Sequence, residues 1–97
     1  MLIYEVNIEI EPDIYAEYKE WIGPHAQEVT MHKGFQQVDI FETNSDLGKP
    51  LFVCHYWLDG QDSLDEYLQN HAPKLRADAD KKFGSKIKGI RRVLKKI

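Results

Sequence analysis

From Leu2 to Ile10 the chain alternates without a break. Leu2, Tyr4, Val6, Ile8 and Ile10 fall on one side, and Ile3, Glu5, Asn7 and Glu9 on the other. A period of two over this span predicts a strand with one strongly apolar face. Glu11-Pro12-Asp13 ends it and opens a helix, because proline fits a first turn and carboxylates favour its positive end. Ile14, Tyr18, Trp21, His25, Val29 and His32 then recur at helical spacing on one face. Gly23-Pro24 interrupts that face, so a kink or two short helices are expected there, with Pro24 starting the second. Lys33-Gly34 stops the helix, Phe35 to Thr43 reads as a second strand, and Asn44 to Pro50 is a polar turn of hairpin length. Leu51 to Leu58 is the most apolar stretch. Leu51, Val53, His55 and Trp57 share one face, Phe52, Cys54, Tyr56 and Leu58 the other, and such a strand needs cover on both.

Asp59-Gly60 is a turn, and Ser63-Leu64-Asp65-Glu66 has the form of a capping box for a second helix. Its inward stripe is Leu64, Leu68, His71, Leu75 and Ala79, flanked by Tyr67 and Ala72, and Pro73 is expected to kink or divide it. Gly84 closes the helix, and Ile87 to Ile97 is a last, basic strand. The order strand, helix, strand, strand, helix, strand predicts an α+β, ferredoxin-like fold. Four antiparallel strands carry both helices on one face, with the first and third strands central and the fourth beside the first. Residues 1–97 are read as one such domain. Two helices cover only one sheet face, so the other face of the third strand leaves an apolar patch that monomers rarely tolerate. Homodimerisation through the sheet faces is the expected answer.

Composition narrows the class. With 42% hydrophobic and 30% charged residues among 97, the chain suits a small globular domain. No apolar run approaches the ~20 residues of a membrane helix, and the amino terminus lacks a basic region and cleavage site. Neither a membrane partner nor a secretory signal is expected. Cys54 is the only cysteine, which excludes an internal disulfide and fits a reducing cytoplasm. The net charge of −3 combines −11 over the first 80 residues with +8 over the last 17. A basic tail can meet nucleic acid, but Arg91 and Lys95 facing Glu5 and Glu9 across the sheet would account for it internally. RNA-recognition modules share this strand order. The segment Lys49 to Tyr56 lacks their glycine and most of their stacking aromatics, so no nucleic-acid partner is expected.

The run Tyr67-Leu68-Gln69-Asn70-His71-Ala72-Pro73-Lys74-Leu75-Arg76-Ala77-Asp78, ending in Lys82-Phe83-Gly84, resembles the second-helix signature of the bacterial domain-of-unknown-function 4286 family. Ile3-Tyr4-Glu5-Val6, and Trp21 with His25 ahead of Gly34-Phe35, agree with it. That family is similar in fold to the dimeric α/β barrels, which include cofactor-free antibiotic-biosynthesis-type monooxygenases, small-molecule isomerases and haem-degrading enzymes. The resemblance implies two sheets packed as a barrel and a pocket in each subunit between sheet and helices. It implies no particular activity.

The leading functional expectation is a small-molecule pocket lined by Trp21, His25, Tyr56, Tyr67 and His71; were it catalytic, the resemblance implies a cofactor-free site of monooxygenase or isomerase type. His71 or His25 would carry the proton and Tyr56 or Tyr67 would orient the substrate. The alternative is a non-catalytic dimerisation or interaction module whose histidines only pack. His25, Glu28 and His32 are residue types that suit zinc or iron, but along two helical turns they span about 10 Å, too far for one ion, and no metal is expected. Asn7, Trp57 and His71 supply the residue types that the resemblance assigns to haem-degrading proteins, a third reading. Arg76 and Arg91 suit a carboxylate or phosphate. Salt bridges with Asp78 or Asp80, and with Glu5 or Glu9, are the simpler expectation for them. Cys54 reads as a small buried hydrophobe.

Overall fold

The computed structural model describes residues 1–97. Strand β1 (Leu2–Ile10) leads through a 3₁₀ turn (Pro12–Ile14) into helix α1 (Tyr15–Thr30). A hairpin of β2 (Phe35–Asn44) and β3 (Pro50–Leu58) follows. Helices α2 (Gln61–Asn70) and α3 (Ala72–Phe83) come next, and a second 3₁₀ turn (Gly84–Lys86) precedes β4 (Ile87–Lys95). The strands form one antiparallel sheet in the order β2-β3-β1-β4. The expected ferredoxin-like α+β fold is therefore the one adopted, with β1 and β3 at its centre.

Alternation decides the two faces. Leu2, Tyr4, Ile8 and Ile10 of β1 and Phe52, Cys54, Tyr56 and Leu58 of β3 are buried under the helices. Val53, His55 and Trp57 of β3 look outward and are half-buried. Helix α1 closes the core with Tyr18, Ile22, Ala26 and Val29. Its buried stripe is turned about one residue from the expected one, so Trp21 and His25 lie at its margin rather than its centre. The core continues through Leu64, Tyr67, Ala72, Leu75 and Phe83 of α2 and α3.

Proline acts differently at its two helical positions. Helix α1 runs unbroken through Pro24, against the expected interruption. Pro24 is exposed, and the carbonyl deprived of its partner belongs to Glu20, also exposed, so water can satisfy it. Pro73 does divide the second helix, at His71, whose φ of −127° is not helical. The capping box is not used: α2 begins at Gln61 after an extended Gly60, ahead of Ser63.

Gly34, with φ +89°, turns the chain from α1 into β2 beside the start of α2. A Cβ there would lie 2.2 Å from Ser63 Oγ, a space only glycine leaves open. The β4 register also departs from expectation: Glu5 faces Arg92 and Glu9 faces Lys88, whereas Arg91 lies opposite Val6 and Lys95 opposite Leu2. Strand parity puts Arg91 on the helix side of the sheet, out of reach of the acidic outer row.

Candidate functional site

A cavity of about 170 Å³ lies between α1, α3 and the strands β1, β3 and β4. Trp21 and His25 come from α1, Tyr67 from α2, Arg76 and Asp80 from α3, and Tyr4 and Tyr56 from the sheet. Four of the five expected pocket residues, Trp21, His25, Tyr56 and Tyr67, thus line one space. They converge because α1 presents i and i+4 on its margin, while β1 and β3 place Tyr4 directly opposite Tyr56.

The walls are aromatic and closely packed. Trp21 stacks on His25 with ring centres 4.2 Å apart and planes 21° apart, and Phe83 closes edge-on behind the indole at 5.3 Å. Tyr4 lies 6.1 Å from Tyr56 and 6.4 Å from Tyr67. Arg76 Nη2 donates to the Tyr4 hydroxyl at 3.0 Å. No buried side-chain nitrogen or oxygen is sealed off without a partner, so the tyrosine hydroxyls of the wall are either paired, as Tyr4 is, or open to the cavity.

Burial sets the protonation of these groups. It pushes the Tyr67 phenol up to about 12 and Tyr56 higher still, so both stay protonated and serve as donors. The Cys54 thiol, pushed up to about 11 by burial, is no thiolate nucleophile at neutral pH. His25 moves the other way: burial lowers its pKa, against the opposing pull of Glu28 and Asp78, and leaves a neutral imidazole. A neutral imidazole beside protonated phenols can accept a proton from a molecule whose oxygen the phenols hold.

His71 does not join this group. It lies at the junction of α2 and α3 with its side chain 41% exposed, its ring 4.4 Å from that of His32 and its Nε2 3.5 Å from Glu66. The expected inward orientation fails because Pro73 divides the helix there and breaks the periodicity on which the stripe was read. His25 and His32 also diverge, one to the cavity and the other to His71, and no three metal-ligating side chains gather anywhere in the chain. Asn7 and Trp57 lie on the outer sheet face, bonded to Glu5 and Asp39, so the trio with His71 is not assembled.

Tyr4, Arg76 and Arg91 are the cavity residues that sequence reasoning assigned elsewhere. The alternation of Ile87, Gly89, Arg91 and Val93, anchored on apolar Ile87, is the signal that would have turned Arg91 inward. On the outer face, Glu5 is 5% exposed and accepts from Arg92 Nε at 2.6 Å, Asn7 Nδ2 at 2.9 Å and His55 Nε2 at 2.8 Å.

The fold recurs among solved structures. An ethyl tert-butyl ether D (EthD) family protein from Bacillus halodurans superposes with a TM-score of 0.72 at 17% identity, over 100% of both chains. An antibiotic biosynthesis monooxygenase gives 0.71 at 15% identity, over 100% of this chain and 99% of that one. SnoaB, a cofactor-independent oxygenase from Streptomyces nogalater, gives 0.65 at 12% identity, over 98% and 92%. At these identities the likeness is one of fold. No curated protein matches the chain. One family model, described as a domain of unknown function (DUF4286), matches residues 1–97.

Proposed function

Because the chain belongs to the DUF4286 family over residues 1–97, a family defined without an activity, we propose from its own geometry that it binds a small aromatic molecule in the cavity between α1, α3 and the sheet. The observation that carries this reading is the convergence of Trp21, His25, Tyr4, Tyr56 and Tyr67 on one space that packing leaves unfilled. Well-packed interiors keep few voids larger than a water molecule. A cavity walled by rings and edged by polar tips is the common form of a ligand site.

The chemistry proposed for it is proton transfer without a cofactor. His25 is the acceptor, held neutral by burial and steadied against Trp21. Tyr56 or Tyr67 orients an oxygen of the bound molecule by donating to it. The fold shared with a cofactor-independent oxygenase is compatible with this assignment. His71 has no part in it.

The test is ligand-observed NMR with phenol, indole and benzoate, together with the variant Ala79→Trp, whose indole would occupy the half-buried entrance. At least one of the three compounds should bind the native chain, and Ala79→Trp should abolish that binding while keeping a cooperative melt. Absence of binding by all three, or binding that survives the blockade, would refute the pocket.

We also propose a homodimer formed through the outer sheet face, in the cytoplasm. Ile3, Phe41, Val53, Trp57 and Ile90 share that face, and Phe41 and Ile90 are 52% and 67% exposed. A second copy is the simplest cover for such a surface.

A further inference from the structure

The chain has three arginines, and the structure treats them unequally. Arg92, on the outer face, is paired with Glu5 at 2.6 Å. Arg76 and Arg91, the two that line the cavity, have no carboxylate within ion-pair distance, although most other close charge pairs in the molecule are made by surface lysines. The pairs expected from sequence, Arg76 with Asp78 or Asp80 and Arg91 with Glu5 or Glu9, do not form. Strand parity carries Arg91 to the opposite face from both glutamates.

Both guanidiniums are instead directed at the cavity. The Tyr4 hydroxyl holds Arg76 inward at 3.0 Å. Arg91 lies along β4 in the room left by Gly89, where an added Cβ would stand 2.9 Å from Arg91 Nη1. Two guanidiniums against one lining carboxylate, Asp80, leave the lining itself positive, with Glu28 and Asp78 outside it and close enough to act on His25. Tyr56 and Tyr67 remain protonated and add no negative charge. Unpaired guanidiniums at the edge of an apolar space favour a planar, two-oxygen anion, to which they donate in pairs. The volume sets the rest of the molecule: about 170 Å³ is close to the ~150 Å³ apolar cavity known to take up benzene, so it holds one six-membered ring.

Resting on the pocket reading above, we infer that the ligand is a single-ring aromatic carboxylate, its ring among Trp21, Tyr56 and Tyr67 and its carboxylate between Arg76 and Arg91.

The test titrates benzoate, benzamide and acetate into the full chain and follows backbone amide shifts. Benzoate should bind at least about tenfold more tightly than benzamide, its neutral counterpart, and acetate should leave the cavity resonances in place. Arg76→Gln and Arg91→Gln should each weaken benzoate about tenfold without altering benzamide, and both side chains are exposed enough for the fold to survive. Gly89→Ala, whose Cβ would press on the Arg91 guanidinium and on the Ile8 side chain alike, should weaken benzoate more than benzamide. Equal binding of benzoate and benzamide, or benzoate binding indifferent to the arginine variants, would overturn the anionic assignment and leave the pocket standing. Acetate binding as tightly as benzoate would overturn the aromatic part. If neither ring compound binds, the carboxylate assignment falls, and the phenol and indole titrations decide whether the pocket stands.

Discussion

Glu5 shows how much one side chain can depend on its neighbours. Hydrogen bonds from Arg92 and Asn7, opposed by burial and aided by His55, hold its carboxyl at about 2, below the ordinary 4.5. A pKa depressed in the folded state stabilises the fold above the unfolded value, and the contribution is lost as pH falls from about 4.5 to about 2. Glu5→Gln should therefore cost about 2 kcal/mol at pH 7, a typical value for hydrogen bonds to a charged group. The gap in melting temperature between variant and parent should narrow steadily between pH 4.5 and pH 2.5. A gap independent of pH would mean that the carboxylate's charge is not what the three donors serve. Sequence reasoning paired Glu5 with the wrong arginine, since Arg91 and Arg92 are chemically alike and only strand parity tells them apart. The same ambiguity hid the cavity's cationic rim, whereas Trp21 and His25 were legible because helical spacing sets them together whichever way the helix is turned.

Among the elements, the strands were the most legible. Uninterrupted alternation from Leu2 to Ile10 has only one regular solution, and β1 occupies those residues. Helix interruptions were harder, because Pro24 and Pro73 stand on equally exposed surfaces, with Glu20 and Gln69 exposed four residues before them, and yet act differently. Pro24 is absorbed on an exposed surface, while Pro73 divides its helix and swings His71 out of the inward stripe. The joint between α1, β2 and α2 was not legible at all, since nothing local to Gly34 reveals that Ser63 packs against it. Gly34→Ala should destabilise the fold by about 2 kcal/mol, through the positive φ and the collision with Ser63 together. That corresponds to a melting temperature lower by roughly 10 °C for a domain of this size. Measured against Ser63→Gly alone, the double variant should lose less than Gly34→Ala does in the parent, because the Ser63 collision is gone while the backbone strain and the close Asp59 Oδ1 remain. An equal loss in both backgrounds would put the cost on φ and Asp59.

For the whole molecule, the proposed dimer predicts a light-scattering mass of twice 11.4 kDa. Phe41→Asp, at an exposed outer position on β2, should convert it to the monomer mass without changing the far-UV spectrum, because it removes no core contact. A native chain that runs at 11.4 kDa would sink the dimer. The overall topology was readable from element order alone, since few connections satisfy it. The cavity was readable only in part, being the space where three separated segments fail to meet.

The sheet ends on two edge strands of opposite character, each with one side open. β4 carries Lys88, Arg91, Arg92 and Lys95, while β2 carries Asp39 and Glu42 and no base. An open strand edge is a template for runaway polymerisation, and charged side chains are one way chains guard against it. Two β4 edges repel each other, as do two β2 edges, so symmetric growth of the sheet from copy to copy is blocked at both ends. The only attractive lateral contact is head to tail, between unlike edges, and it rests on surface charge that salt screens. Lateral growth should therefore be weak at physiological ionic strength and strengthen as salt is lowered, when the head-to-tail attraction is least screened.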